Sequence, residues 1–178
     1  MGRSDEELVA AIRAGDETAF EVLYERYSRR LFGYLLRLVK DRDLAEDLLQ
    51  EVFLTVLTST AYQPQAGRLG GFLFKAARHR GLTALRNAKR RGDKLSEEAE
   101  VTPQRSESHE AQTADRRTLS SVLTQLTEQD RDALILKAVG GLTYREIAEV
   151  QEVPEGTVKS RLHGAIRLVR RRFDKEFP

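Results

Sequence analysis

With 178 residues, 40% hydrophobic and 33% charged, the chain has enough apolar matter for packed helices but too much charge for one large buried core, so two small cores are expected. It has no cysteine, which excludes a disulfide framework or a thiolate zinc site and fits a reducing cytoplasm. The net charge of +2 conceals an acid, base, acid order along the chain, and charge segregated in this way points to separate binding faces.

Ser4-Asp5-Glu6-Glu7 has the spacing of a capping box and predicts a short first helix. The charged stretch 1–15 lacks the apolar centre of a signal peptide and no run approaches 18 apolar residues, so a soluble, unexported chain without membrane insertion is expected. Phe20, Leu23, Tyr24, Tyr27, Leu31, Leu35 and Leu38 recur at steps of three and four, the apolar stripe of a long amphipathic helix. Asp43 to Leu57 repeats that signal through Ala45, Leu48, Leu49, Val52, Phe53 and Val56. Its other face carries Asp43, Glu46, Asp47, Gln50 and Glu51. Gln63-Pro64-Gln65-Ala66-Gly67 breaks the pattern, and Phe72 to Arg90 resumes it with Leu73, Ala77, Leu82 and Leu85. From Arg68 to Arg91 every charged side chain is Lys or Arg, the profile of a phosphate-binding stretch.

Residues 92–115 hold only Leu95 and Val101 as large aliphatics among many Ser, Thr and Glu, and burial cannot offset their ordering entropy. They are expected to form a flexible acidic linker between a domain at 1–91 and a second at 116–178. Leu119, Val122, Leu123 and Leu126 open the second domain. Thr127-Glu128-Gln129-Asp130 resembles a cap, and Gly140-Gly141 stops the helix that follows. Thr143-Tyr144-Arg145-Glu146 is another capping box, and Pro154 and Gly156 introduce a last helix through Val158, Leu162, Ala165, Ile166 and Val169. No strand alternation occurs, so the expected fold class is all-α: two small helical domains.

The helix from Thr143, a tight turn at 151–153 and the helix from Glu155 have helix-turn-helix spacing, with Ala148 at the crossing and Ile147, Val153 and Val158 as the seam. The open side of the second helix is expected to present Thr157, Lys159, Ser160, Arg161, His163 and Arg167, with Glu155, Lys159, Ser160 and Arg161 nearest the bases and Arg145 contributing from the first helix. In the earlier basic helix, Lys75, Arg78, His79, Arg86, Lys89 and Arg90 lie close to one face, with Phe72 and Phe74 at its start. Aromatics beside a cationic track suit unpaired DNA, since bases stack on rings while phosphates meet cations; against this stands burial of both rings in a core. The acidic face of the preceding helix suits docking onto a basic protein surface better than magnesium binding, because no histidine and no phosphate-cradling glycine loop lies near it. His79, His109 and His163 are scattered among polar residues. Neither a catalytic residue, nor a metal site, nor a cofactor is expected.

Four of these segments in order resemble the extracytoplasmic-function sigma factors, the minimal group of RNA polymerase sigma factors. Ala19-Phe20 through Tyr24 and Tyr27, then Ala45 to Phe53, resembles the family's opening and its polymerase-clamp helix. Phe72-Leu73-Phe74-Lys75-Ala76-Ala77-Arg78-His79 resembles the segment that melts and reads the minus-ten element, and Gly156 to His163 its minus-thirty-five recognition helix. The resemblance implies docking of Asp47, Gln50 and Glu51 on the clamp of core polymerase. It further implies capture of promoter DNA both as duplex and as melted non-template strand, a linker that threads toward the RNA-exit channel, and control by an anti-sigma protein. The family commonly carries tryptophan at Phe72, asparagine at His79, aspartate at Thr83 and glycine at Glu152. Two other functions fit parts of the pattern: a stand-alone helix-turn-helix regulator that binds an operator without polymerase, and a metal-dependent nucleic-acid enzyme built on Asp43, Glu46, Asp47 and Glu51.

Overall fold

The computed structural model describes residues 2–58, 62–63, 68–92 and 121–176, with side chains as far as 171. Every element named among these residues is helical. Most of the expected linker, the segment 64–67, Leu119 and His109 lie outside the described residues.

Helix α1 (Asp5–Arg13) starts at the capping box read from sequence: the Ser4 hydroxyl accepts from the Glu7 amide at 3.2 Å, and the Glu7 carboxylate accepts from the Ser4 amide at 2.7 Å. Asp16 caps α2 (Glu17–Val39), accepting from the Ala19 amide at 3.2 Å. The stripe of α2 is buried at Leu23, Tyr27, Leu31, Tyr34 and Leu35, and Lys40 ends the helix in the left-handed conformation. Helix α3 (Arg42–Thr58) buries Ala45, Leu48, Leu49, Val52, Phe53 and Val56, as its periodicity predicts. Helix α4 (Leu69–Arg91) begins three residues before the apolar pattern resumes, with Gly70 and Gly71 buried in its first turn. Both glycines face neighbouring helices at ordinary contact distance: a Cβ on Gly70 would lie 3.5 Å from the Tyr27 ring, and one on Gly71 would lie 3.7 Å from Glu146. Helices α1 to α4 pack on one another as a bundle.

A helical turn at 121–123 leads to α5 (Glu128–Ala138), capped by the Thr127 hydroxyl on the Asp130 amide at 3.2 Å. Gly141 (φ +67°) follows the end of α5, in keeping with the glycine stop. Helix α6 (Tyr144–Gln151) carries the predicted Thr143–Glu146 capping box, and α7 (Glu155–Glu176) follows after a three-residue turn. Ile147, Ala148 and Val158 are buried at the crossing of α6 and α7. Glu152 closes α6 at φ 57°, ψ 46°, where its amide donates to the Ala148 carbonyl. The position that the family fills with glycine does require a positive φ, and the chain holds it with a glutamate.

The expected pair of separate small cores is corrected. One cluster of buried side chains runs from α1 through α4 into α5, α6 and α7. Phe74 joins the two halves: it is fully buried, stacks edge-on against Tyr34 at 5.6 Å, and reaches Gly140. A Cβ at Gly140 would come within 3.2 Å of the Phe74 ring and 2.5 Å of the Leu136 carbonyl, so only glycine admits that approach.

Candidate nucleic-acid interface

Asp43, Glu46, Asp47, Gln50 and Glu51 all lie exposed on the outer side of α3, because the apolar residues between them turn inward. Glu46 pairs with the exposed Arg42 at 3.0 Å and Glu51 with the partly buried Arg80 of α4 at 3.2 Å, and both carboxylates remain accessible. The same stripe continues past Gln50 into Leu54 and Leu57, 54% and 45% exposed, so an acidic patch merges with an apolar one. Sequence periodicity could have placed both leucines there. Among the described residues, no group of three or more His, Asp or Glu side chains is positioned to share a metal ion.

The basic face of α4 divides along its length. Arg86, Lys89 and Arg90 are exposed toward its C-terminal end, where the Arg86 guanidinium donates back along the helix to the Leu82 carbonyl (3.3 Å) and the Thr83 hydroxyl (3.1 Å). Lys75 and Arg78 turn toward α5 and α6 instead. Lys75 pairs with Glu152 at 2.9 Å, which holds the Glu152 carboxyl below the usual carboxylate range. The Arg78 Nε donates to Oδ2 of Asp132 at 2.8 Å. His79 is exposed nearby. Phe72 is half-buried with its ring 5.5 Å from that of Tyr62, while the fully buried Phe74 presents no face for a base to stack on.

On α7 the structure separates residues that the sequence grouped. Glu155, Lys159, Ser160, His163 and Arg167 are exposed on the open side, with Gly156 and Gly164 between them. Arg145 is exposed at the start of α6, paired with Glu149 at 3.3 Å. Thr157 is half-buried. Arg161 does not lie on the open side: its side chain is only 18% exposed, and it donates to Gln151 Oε1 at 2.7 Å and Gln129 Oε1 at 3.4 Å, with Asp130 at 3.8 Å. Its guanidinium is turned toward α5 and α6 in this structure. Residue 161 shares the inward phase of Val158, Leu162 and Ala165, and the polar groups of α5 and α6 draw its guanidinium in.

Sequence reasoning missed the polar centre of the molecule. Asp132 of α5 is buried, with Oδ1 accepting from the Tyr34 hydroxyl at 2.8 Å and Oδ2 accepting from Arg78 at 2.8 Å and from the Gln151 amide at 2.9 Å. Burial first, and then the Asp132 charge, push the Tyr34 phenol well above its ordinary value, so it stays a donor. A signal was available: Asp132 sits in phase with buried Ala133 and Leu136, and a carboxylate on an apolar face needs partners.

Residues 23–91 match the family description Sigma-70 region 2, and residues 116–169 match Sigma-70, region 4. The RNA polymerase sigma factor CarQ of Myxococcus xanthus is 32% identical over 151 residues, covering 85% of this chain and 87% of that protein. The ECF RNA polymerase sigma factor SigL of Mycobacterium tuberculosis is 32% identical over 169 residues, covering 91% and 93%. Among solved structures, the sigma factor RpoE in complex with the anti-sigma factor NepR from Bartonella quintana shares the fold at a TM-score of 0.62 and 20% identity, covering 94% of this chain and 92% of that one. With an exposed acidic helix, a basic helix and a helix-turn-helix carried in that order, this chain belongs to the RNA polymerase sigma factors, in their extracytoplasmic-function group.

Proposed function

We infer that this sigma factor binds core RNA polymerase through the outer face of α3 and directs initiation at specific promoters. In this reading residues 1–91 capture the melted minus-ten element and residues 116–178 grip the minus-thirty-five duplex. Asp43, Glu46, Asp47, Gln50 and Glu51 make the polymerase contact, and Leu54 and Leu57 add apolar area at its edge. Phe72, Lys75, Arg78, His79, Arg86, Lys89 and Arg90 engage the separated strand; phosphates supply most of the affinity and rings the stacking. Arg145, Glu155, Lys159, Ser160, His163 and Arg167 face the major groove, with Arg161 holding the recognition helix in place. Polymerase supplies the magnesium and the bond chemistry, so the chain works as a binding factor rather than as an enzyme, in the cytoplasm. No described helix is long and apolar enough to cross a membrane. We further infer control by an anti-sigma protein, on the precedent of the Bartonella complex.

The observation that carries this reading is the exposure of the α3 carboxylates beside a family match to both promoter-contacting regions. Run-off transcription with core enzyme over a randomised promoter library tests it. Specific initiation that is lost in Asp47→Arg, with thermal unfolding unchanged, is the expected result. Equal transcription by Asp47→Arg and the unaltered chain would remove α3 from the polymerase contact.

A further inference from the structure

We propose that Gln151 is a positioning residue for promoter specificity: its buried amide ties Arg161 of α7 to Asp132 of α5 and so sets the orientation of the recognition helix in the minus-thirty-five groove. The proposal rests on the function inferred above and deepens it. The Gln151 Nε2 donates to Asp132 Oδ2 at 2.9 Å and to the Gln129 carbonyl at 3.1 Å, while its Oε1 accepts from the Arg161 Nη1 at 2.7 Å. Turned over, the amide would set its oxygen against a carboxylate and a carbonyl, and its nitrogen against a guanidinium, so one orientation alone satisfies all three partners. The guanidinium is held in turn at each of its nitrogens: Nη1 on Gln151, Nη2 on Gln129 Oε1 at 3.4 Å, and Nε beside Asp130 at 3.8 Å. A planar fork gripped by the first turn of α5 and the last residue of α6 fixes direction as well as place. Every link from Asp132 to Arg161 lies within residues 116–178, so the arrangement is internal to the module that carries the recognition helix.

Stability alone does not call for such a cluster, since apolar side chains of similar volume often replace a buried ionic one without loss. What apolar packing lacks is direction. The seam of Ile147, Ala148 and Val158 between α6 and α7 is apolar, and packed ridges fix a crossing angle only to within about 15–20°. Glu155 and Arg167 lie equally far from Arg161 along α7, about 9 Å at roughly 1.5 Å per residue. A swing of that size about Arg161 would carry either end of the exposed face by about 3 Å. Hydrogen bonds to base edges hold over a range of only about 0.5 Å. The long Lys159 and Arg167 side chains can follow a phosphate through such a shift, whereas the shorter Glu155, Ser160 and His163 lose a base edge. The relay through Gln151 therefore acts on sequence preference more than on affinity.

Holoenzyme assembled from core polymerase and the full chain supplies the test, with binding measured over a library randomised at the upstream element. The readout is the ratio of affinities for the preferred and a scrambled upstream sequence. Gln151→Met keeps the length of the side chain and removes its donor and acceptor. Its ratio should fall by about fivefold or more, spread over all the base pairs that the unaltered holoenzyme distinguishes, while affinity for the scrambled sequence stays within about twofold. An unchanged ratio, whether affinity drops uniformly or not at all, overturns the proposal. So does a loss confined to one base pair, which marks a direct contact instead. If circular dichroism shows Gln151→Met unfolded, Gln151→Glu decides by the same ratio. It keeps an acceptor for Arg161 and loses both donations, so a fall of about threefold or more supports the relay and an unchanged ratio overturns it. Absence of any upstream preference in the unaltered holoenzyme would instead count against the sigma reading itself.

Discussion

Arg161 and Lys159 stand two residues apart on the recognition helix, yet the structure gives their replacements opposite consequences. Arg161→Ala removes the charged donor from the Oε1 of Gln151, a side chain that is itself buried and bound to Asp132. Leaving a buried acceptor without its charged partner costs about 1.5–3 kcal/mol. The partly exposed Asp130, at 3.8 Å, adds little after solvent screening. For a chain of this length a loss near 2 kcal/mol lowers Tm by about 5 °C. Lys159→Ala removes an exposed side chain paired with Glu155 at 3.7 Å, so stability should stay within about 0.5 kcal/mol. DNA affinity should fall across all upstream sequences instead, with the salt slope reduced by about one if Lys159 meets a phosphate. Thermal unfolding of both variants, together with holoenzyme binding to a library of upstream sequences, separates the two roles. The reasoning fails if Arg161→Ala leaves Tm within about 1 °C and shifts preference at one upstream base pair.

Glu152 occupies a left-handed position, so the usual helical order of alanine over glycine should invert there. Since both replacements lose the Lys75 pair, Glu152→Gly is expected to be about 1 kcal/mol more stable than Glu152→Ala in urea unfolding. Asp16 is held at a pKa of about 2, below its ordinary 3.8, by the Thr18 hydroxyl first, then by Arg3 and the Ala19 amide. Because the folded value is the lower one, this contribution is complete above about pH 4 and fades as pH falls toward 2. Asp16→Asn keeps a cap on α2 but should flatten that part of the Tm profile between pH 4 and 2, and an unchanged slope would show that Asp16 does not contribute to it.

Helix positions, caps and the helix-turn-helix were legible because they are written in short-range terms. Ser4–Glu7 and Thr143–Glu146 satisfy amides one turn away, and the stripes of α2 and α3 repeat with the period of the helix itself. The acidic face of α3 followed from the same arithmetic, because burying one side of an amphipathic helix leaves the other in water. Leu69 to Gly71 escaped that arithmetic, since two glycines at a helix start signal a loop unless another helix lies against them.

The amino-acid order alone thus determined an all-helical chain, the residues that start and stop its helices, and the faces that carry acid and base. Only the tertiary structure decided that Phe74 joins the two halves instead of waiting for a base, that Arg161 turns inward, and that Arg78 answers a buried Asp132. The physical reason is that periodicity fixes which way a side chain points along its own helix, whereas its partner is set by whatever the fold brings to that face. For Asp132 those partners come from 19, 54 and 98 residues away, and no local pattern encodes them.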